Sequence, residues 1–203
     1  MSASRRLDEL IEALQIMPGI GPVSAARIAY YLLDRKRSDA LSLSDAIAHA
    51  VNEIGQCPCC HNYSDADGEL CSQCASAKRR ESGQICVVES PSDVEAIENS
   101  GTYHGTNFVL HGLLSPIEGI GPEELGFDAL IERMSKDKVK EVILAISQTV
   151  EGEVTSQYLA ALAKKLDITV SRIASGVPIG GNLNSVDGNT LALSINYRRP
   201  VES

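Results

Sequence analysis

Apolar residues in the first third of the chain are three or four positions apart, as on one face of a helix. One set is Leu7, Leu10, Ile11 and Leu14, and the next is Ala25, Ile28, Ala29, Leu32 and Leu33. Between the sets, Pro18 and the glycines of PGIGP end the first helix, and Pro22 suits the first turn of the second. The pattern predicts two helices joined by a glycine hairpin.

From residue 84 onward, short apolar runs alternate with segments of helical spacing. The runs are QICVVE, NFVLHG, KEVILAIS and ITVSRIA, and the helical segments are SDVEAIENSG, PEELGFDALIERMSKD and VTSQYLAALAKKL. We expect Ser92 or Asp93 to open the first of these helices and Gly101 to close it. Repeated strand and helix units predict an α/β fold with a mostly parallel sheet covered by helices on both faces.

Charge is unevenly distributed over the 203 residues, which carry a net charge of −9. Residues 81–177 hold 15 acidic and 7 basic side chains, whereas the segments on either side are almost balanced. Attraction to phosphate depends on the local potential within about 10 Å, so the N-terminal third remains eligible to bind nucleic acid.

A charged N-terminus and the lack of a run of about 18 apolar residues predict a cytoplasmic protein.

Two cysteine pairs lie in CPCCHNYSDADGELCSQC, residues 57–74. Each pair has a two-residue spacer, which places two thiolates on one tight turn. The cysteines with this spacing are Cys57, Cys60, Cys71 and Cys74. Together they complete the tetrahedron of a structural zinc site, and Cys59 or His61 could substitute for one of them. The other interpretation is two disulfides, which a cytosolic redox state disfavours. Cys86, inside QICVVE, is predicted to be a buried strand residue.

The glycine hairpin has features of a DNA-binding element. Gly19 and Gly21 let the backbone approach a ligand closely, and the free N–H groups at the start of the next helix suit a phosphate oxygen. Arg27 lies one turn further on, and a basic cluster follows at Arg35, Lys36 and Arg37. Such an arrangement contacts the DNA backbone without reading sequence. The alternative is an ordinary helical hairpin whose glycines only turn the chain.

A second GIGP motif, at residues 119–122, is followed by Glu123 and Glu124. These carboxylates repel phosphate, so the motif is not expected to bind DNA. We interpret it as a turn with a proline at the start of a helix.

Four acidic residues follow the ends of predicted strands: Glu89, Asp93, Glu151 and Glu153. The carboxyl ends of parallel strands meet at one edge of a sheet, so these side chains are expected to converge. Clustered carboxylates need solvent, a cation or a paired base. Three interpretations stay open: a Mg²⁺ site that supports phosphoryl chemistry, an acidic surface for a basic partner, or separate solvated loop acids.

The order of these parts resembles the RecR family of recombination mediators over nearly the whole chain. The matching stretches are PGIGP, the four-cysteine module, CVVESPSDVEAIE, LSPIEGIGPEEL, TVEGEVTSQYLA and RIASGVPIGGNLNSVDGNTL. The strand-end acids also resemble the Toprim domain of primases, topoisomerases and some nucleases. The resemblance implies a helix-hairpin-helix DNA-binding region over 1–56, a zinc finger over 57–74, a Toprim domain over 82–177 and an oligomer-contact segment over 178–203.

The resemblance implies a role in recombinational DNA repair without catalysis. RecR-family proteins form ring-like oligomers that clamp DNA, and they act with RecO, and in some bacteria RecF, to load RecA onto single-stranded DNA coated by single-strand-binding protein. It thus implies a homo-oligomer, dimer or ring tetramer, that binds single- and double-stranded DNA independently of sequence at the bacterial nucleoid.

The resemblance also assigns residues to these roles. It implies DNA contacts by Gly19, Gly21, Arg27 and the basic cluster at 35–37. It assigns RecO contacts to Glu89, Asp93, Glu151 and Glu153. It assigns a structural Zn²⁺ to Cys57, Cys60, Cys71 and Cys74.

The chain departs from the usual family pattern at Val23 and over residues 146–148. Val23 stands where the family commonly has a basic residue, which places more weight on Arg27 and the 35–37 cluster. Ile146-Ser147-Gln148 stands where Thr-Asn-Pro is usual, so the local turn is expected to differ. The alternative function is a Mg²⁺-dependent Toprim nuclease or topoisomerase-like enzyme, although such enzymes usually have aspartates in place of the Glu151 and Glu153 pair.

Overall fold

The computed structural model describes residues 4–65, 68–174, 176–178 and 180–198. The chain forms two compact units that divide between Ile54 and Gly55. Parts of the segment assigned to oligomer contacts, at 179 and 199–203, lie outside the described residues. Among the described residues, no helix combines the length and apolarity needed to cross a membrane.

The N-terminal unit contains three helices, α1 (Arg5–Leu14), α2 (Pro22–Arg35) and α3 (Arg37–Glu53). Its core is the predicted pair of apolar faces: Leu14 of α1 is buried against Ala25 and Ala29 of α2. Gly19 adopts the left-handed φ of +80°, and Pro22 is the first residue of α2, as predicted. The helix-hairpin-helix prediction is confirmed, whereas α3, which has no buried residue, was not anticipated.

The second unit opens with a small cysteine-rich module. A two-stranded antiparallel ladder pairs β1 (Gly55–Gln56) with β2 (Tyr63–Ser64). Two short helices follow, α4 (Ser72–Ala75) and α5 (Ala77–Glu81). The module is too small to bury an apolar core of its own, and its buried residues are cysteines.

A four-stranded parallel sheet forms the body of the second unit, in the order β4-β3-β5-β6. Its strands are β3 (Gln84–Val88), β4 (Thr106–Val109), β5 (Glu141–Ala145) and β6 (Thr169–Arg172). The connecting helices are α6 (Pro91–Asn99), α7 (Phe127–Lys136) and α8 (Val150–Lys165). A short 3₁₀ turn, Leu183–Ser185, and α9 (Gly188–Asn196) follow the sheet.

Both faces of the sheet are covered by helices, as predicted. Alternate residues of β3 point to opposite faces, so Ile85 and Val87 join the larger core with α7 and α8. Cys86 and Val88 join the smaller core, which includes Val94 of α6. The prediction that Cys86 is a buried strand residue is confirmed.

Three predicted helix starts were wrong. Ser90, and not Ser92 or Asp93, caps α6, because its hydroxyl and the Asp93 carboxylate form a reciprocal capping box. Residues 122–126 form turns, so Pro122 does not begin α7. The last correction concerns α8, which begins at Val150, so that Glu151 and Glu153 lie in its first turn and not in a preceding loop.

Candidate functional site

The structure brings the four predicted zinc ligands together. The Sγ atoms of Cys57, Cys60, Cys71 and Cys74 all lie within 4.8 Å of one another. Three of these side chains are at most 1% exposed, and Cys71 is half-buried. In the described ranges, this is the only group of three or more His, Cys, Asp or Glu side chains placed to share a metal ion.

The spacing of the sulfurs fits tetrahedral zinc and not a disulfide. Cys60 Sγ and Cys71 Sγ are 3.6 Å apart. Two sulfurs of a tetrahedral site with Zn–S bonds of about 2.3 Å lie about 3.8 Å apart, whereas a disulfide bond is about 2.05 Å long. None of the six cysteines, all within the described ranges, is joined in a disulfide. The cluster can therefore hold a metal ion, and the donor set is that of structural zinc.

Ionisation is divided unequally among the clustered thiols. A hydrogen bond with Cys74 lowers the pKa of Cys60 to about 5. Burial raises the pKa of Cys71 to about 11. A divalent cation stabilises several thiolates at once, so metal binding to this cluster releases protons.

Two tight turns build the cluster. In the first, Cys57 N–H donates to the carbonyl of Asn62 at 2.9 Å, and His61 N–H donates to the carbonyl of Cys57 at 2.9 Å. In the second, Cys71 caps α4, so Cys74 returns to the cluster one turn later. Cys71 N–H donates to Cys57 Sγ at 3.4 Å and links the two turns.

Arg133 of α7 fixes the cysteine module to the sheet. Its Nη1 donates to the carbonyls of Cys59 at 3.1 Å and Asn107 at 3.0 Å. Val109 N–H adds a bond of 2.9 Å to the carbonyl of Cys60. Arg133 is only 8% exposed, so these bonds lie in a weakly solvated region. The sequence analysis missed this residue, for which the only signal is a charge on the apolar face of α7.

A second polar network joins α4, α5 and α6 to β4. Arg79 of α5 makes a bidentate ion pair with Glu98 of α6, at 2.8 and 2.5 Å. Asn107 Nδ2 donates to Gln73 of α4 at 3.0 Å and to Glu98 at 3.3 Å. The Arg79 hydrogen bond lowers the pKa of the Glu98 carboxyl below its ordinary value.

The glycine hairpin presents an accessible backbone. Gly19 and Gly21 are both exposed, and a Cβ at either position would meet no atom of the described part of the chain within 4 Å. Gly21 caps α2, whose first N–H groups lack partners within the helix. A phosphate can therefore approach this end of α2 without displacing a side chain.

The predicted basic residues differ in availability. Arg27 and Arg35 are exposed and form no ion pair with the described residues. Lys36 pairs with Asp39 at 2.7 Å. Arg37 Nε donates to the carbonyl of Leu33 at 2.7 Å. The two unpaired arginines are therefore the cations best placed to take a phosphate.

The four predicted strand-end acids have different partners. Glu89 accepts a hydrogen bond from the backbone N–H of Ser147, which joins the ends of β3 and β5. The Asp93 carboxylate accepts from the backbone N–H and hydroxyl of Ser90, at 2.9 and 2.7 Å. These two carboxylates therefore hold the turns at the strand ends.

The glutamates of α8 lie near the positive end of the helix dipole. Glu153 accepts from Arg172 Nη1 of β6 at 2.7 Å, which lowers the pKa of its carboxyl. Glu151 is exposed. Within the described ranges, no three of the four acids lie close enough to share a metal ion, so the expected convergence on one point is not observed.

A cavity of about 940 Å³ adjoins the acidic edge. Its polar lining includes Glu153 and Arg172, and its apolar lining includes Val150, Val154 and Ile173. Leu193 of α9 and Tyr197 at its end also line it. Three of the apolar side chains remain largely exposed: Val150 at 78%, Ile173 at 52% and Tyr197 at 74%. This groove therefore combines an ion pair with apolar walls. The sequence analysis did not predict it.

Comparison with protein-family models matches three parts of the chain. The models are RecR helix-hairpin-helix over residues 7–51, Toprim domain over 83–174 and RecR C-terminal over 176–199. The matches run in the same order as the helical unit, the parallel sheet and the C-terminal segment, with the four-cysteine cluster between the first two. The chain belongs to the RecR family, whose domains support a role in recombinational DNA repair.

Proposed function

We propose that the chain is a DNA-clamping recombination mediator without catalytic activity. In this proposal a ring-like homo-oligomer, dimer or tetramer, encircles DNA. It acts with RecO, and with RecF in some bacteria, to load RecA onto single-stranded DNA coated by single-strand-binding protein at the nucleoid.

The observation that carries the proposal is a difference in partners: most of the strand-end carboxylates are bound by protein groups, whereas, within the described part of the chain, two arginines of the hairpin unit are not. The strand-end carboxylates of Glu89, Asp93 and Glu153 accept hydrogen bonds from protein groups and are not gathered around a cation position. By contrast, Arg27 and Arg35 have no acidic partner among the described residues. This pattern favours one surface for phosphate and another for a basic protein over a metal-dependent nuclease.

DNA binding is assigned to the hairpin and its basic residues. Gly19 and Gly21 expose the backbone at the start of α2, and Arg27 lies just beyond it. The cluster of Arg35, Lys36 and Arg37 extends the positive charge to the other end of α2. Because backbone N–H groups and these cations suit phosphate oxygens, which carry no sequence information, binding is expected to be independent of sequence.

RecO binding is assigned to the acidic edge, with Glu151 as the exposed carboxylate that would meet a basic side chain. Glu153 borders the groove as an ion pair with Arg172, which fixes the position of its carboxylate. A partner segment with a basic residue next to apolar ones matches this combination. Glu89 contributes by holding the turn that precedes the two glutamates, and Asp93 by holding the neighbouring turn after β3.

The test is a titration of RecO against the Glu151→Gln/Glu153→Gln double variant by calorimetry. We expect the affinity for RecO to fall at least tenfold. The matched control is Glu118→Gln/Glu123→Gln, which removes two exposed carboxylates outside the edge. Equal affinity in the two double variants would assign RecO to another surface.

A metal-dependent enzyme is the competing function. Incubating supercoiled DNA with the purified chain and Mg²⁺ or Mn²⁺ separates the two, since a mediator leaves the DNA intact. Nicking or relaxation that is abolished by Glu89→Gln would replace the mediator proposal with a Toprim enzyme that binds Mg²⁺ at these acids.

Zinc is assigned a structural role. Bound by Cys57, Cys60, Cys71 and Cys74, the ion would hold two turns that have little apolar core. Four protein ligands leave no open position on a tetrahedral ion, so the site supplies stability and not chemistry.

A further inference from the structure

The exposed face of α2 carries an aromatic ring between two cations. Arg27, Tyr31 and Arg35 are spaced four residues apart, so they are surface neighbours along the helix. All three are exposed, Tyr31 to 51%. At 1.5 Å per residue the row is about 12 Å long. The buried residues of α2, Ala25 and Ala29, lie on the opposite face.

Charge distinguishes Tyr31 from its neighbour Tyr30, which is equally exposed at 50%. With about 100° of rotation per residue, Tyr31 lies between Arg27 and Arg35, about 40° from each. Asp34, also exposed, lies between Arg27 and Tyr30. An anionic strand that follows the two arginines therefore passes over Tyr31, whereas Tyr30 lies on the side of the row where the Asp34 carboxylate is nearer.

We infer that Tyr31 is a stacking site for an unpaired nucleobase of single-stranded DNA. Arg27 and Arg35 bind the phosphates on either side, and the base lies against the phenol ring. Bases of a duplex are already stacked on each other, so the ring adds affinity for single strands and not for duplexes. This inference rests on the proposed DNA-binding role of the hairpin unit and adds a means of distinguishing the two forms of DNA.

The first test compares oligo-dT with a strand of equal length that consists of abasic residues. Tyr31→Ala should weaken binding of oligo-dT about tenfold and leave binding of the abasic strand unchanged. Tyr30→Ala is the matched control and should change neither affinity. Equal losses for both strands, or a larger loss for Tyr30→Ala, would overturn the inference.

The second test uses the fact that the chain contains no tryptophan. A Tyr31→Trp variant carries a single indole, whose fluorescence should be quenched by oligo-dT and not by the abasic strand. Unquenched fluorescence at saturating oligo-dT would contradict stacking.

The two proposals fail in different ways. If Arg27→Ala weakens binding of both strands and Tyr31→Ala weakens neither, only the stacking site is excluded. If neither variant weakens binding, the hairpin unit is not the DNA surface. A lower solution mass for Tyr31→Ala would identify this face as a contact between copies of the chain and overturn the stacking role.

Discussion

The carbonyl oxygen of Ser147 occupies the space that a Cβ at Gly152 would need. The turn after β5 thus packs directly onto the backbone of the first turn of α8, between Glu151 and Glu153. Only glycine allows this approach, so the residue between the two glutamates fixes where their carboxylates stand.

Gly152→Ala should therefore destabilise the second unit by about 2–3 kcal/mol, because the opposing atom is backbone and cannot rotate away. It should also weaken RecO binding, since the turn that positions Glu151 must move. Urea denaturation followed by circular dichroism measures the first effect. Gly176→Ala is the control, because a Cβ there meets no atom of the described residues within 4 Å. Similar stability of both variants would contradict the close approach.

The zinc assignment predicts about one Zn²⁺ per chain, measured by elemental analysis of the purified protein. Cys71→Ser should lose the metal and unfold the cysteine module, because three thiolates cannot close the tetrahedral site. Cys59→Ser tests the neighbouring thiol, which lies beside the cluster but is not part of the four-sulfur group. Metal retained by Cys71→Ser and lost from Cys59→Ser would identify Cys59 as the ligand.

Sequence patterns predicted which helices and strands form better than they predicted where the helices begin or which side chains contact one another. Local periodicity was sufficient for the hairpin and the parallel sheet, because each element buries a continuous apolar face. The spacing of the cysteines was sufficient for the cluster. Both signals are local in sequence: each periodicity lies within one element, and the four cysteines lie within residues 57–74.

Features that depend on tertiary contacts were missed. Arg133 reaches Cys59, 74 residues away in the chain, and nothing local to α7 indicates that contact. The groove beside Glu153 likewise combines side chains of α8, β6 and α9. The strand-end rule placed the four acids at one edge, but it did not predict that Ser90, Ser147 and Arg172 would partner three of them.

Replacing Arg133 tests whether the cysteine module depends on the sheet for its position. Arg133→Met retains much of the apolar stem and leaves the carbonyls of Cys59 and Asn107 without this donor in a buried region. We expect a loss of about 3 kcal/mol in the free energy of unfolding of the second unit. Lys164→Met, an exposed position on α8, should change stability by less than about 0.5 kcal/mol. Two equally stable variants would show that Arg133 is not needed.

The ion pair between Arg79 and Glu98 makes the free energy of unfolding depend on pH in the acidic range. Arg79 lowers the pKa of Glu98. At pH values between this lowered pKa and the ordinary pKa of a carboxyl, the folded state therefore binds fewer protons than the unfolded state. The resulting stabilisation is complete at neutral pH. It is lost as the pH falls below the ordinary carboxyl value and through the lowered pKa of the folded state.

The free energy of unfolding should therefore fall less steeply with acid in Glu98→Gln than in the parent chain. The measurement is a series of urea denaturation curves between neutral and acidic pH. Glu95→Gln removes a carboxylate from the exposed side of α6 and should keep the parent slope. An unchanged slope in Glu98→Gln would mean that the pair does not contribute to acid sensitivity.

Arg27, Arg35 and Lys36 differ in whether they already form an ion pair, and this difference predicts how much each contributes to the salt dependence of DNA binding. Each arginine that releases a counterion from single-stranded DNA contributes about 0.7 to the slope of log affinity against log salt concentration. Arg27→Ala and Arg35→Ala should each reduce that slope by about this amount, for every sequence alike. Lys36→Ala should reduce it less, because Lys36 already pairs with Asp39 at 2.7 Å. Fluorescence anisotropy with labelled oligo-dT over a range of salt concentrations measures all three slopes. If Lys36→Ala changed the slope as much as Arg27→Ala, the ion pair with Asp39 would have to open when DNA binds, and the free arginines would not be the preferred phosphate ligands.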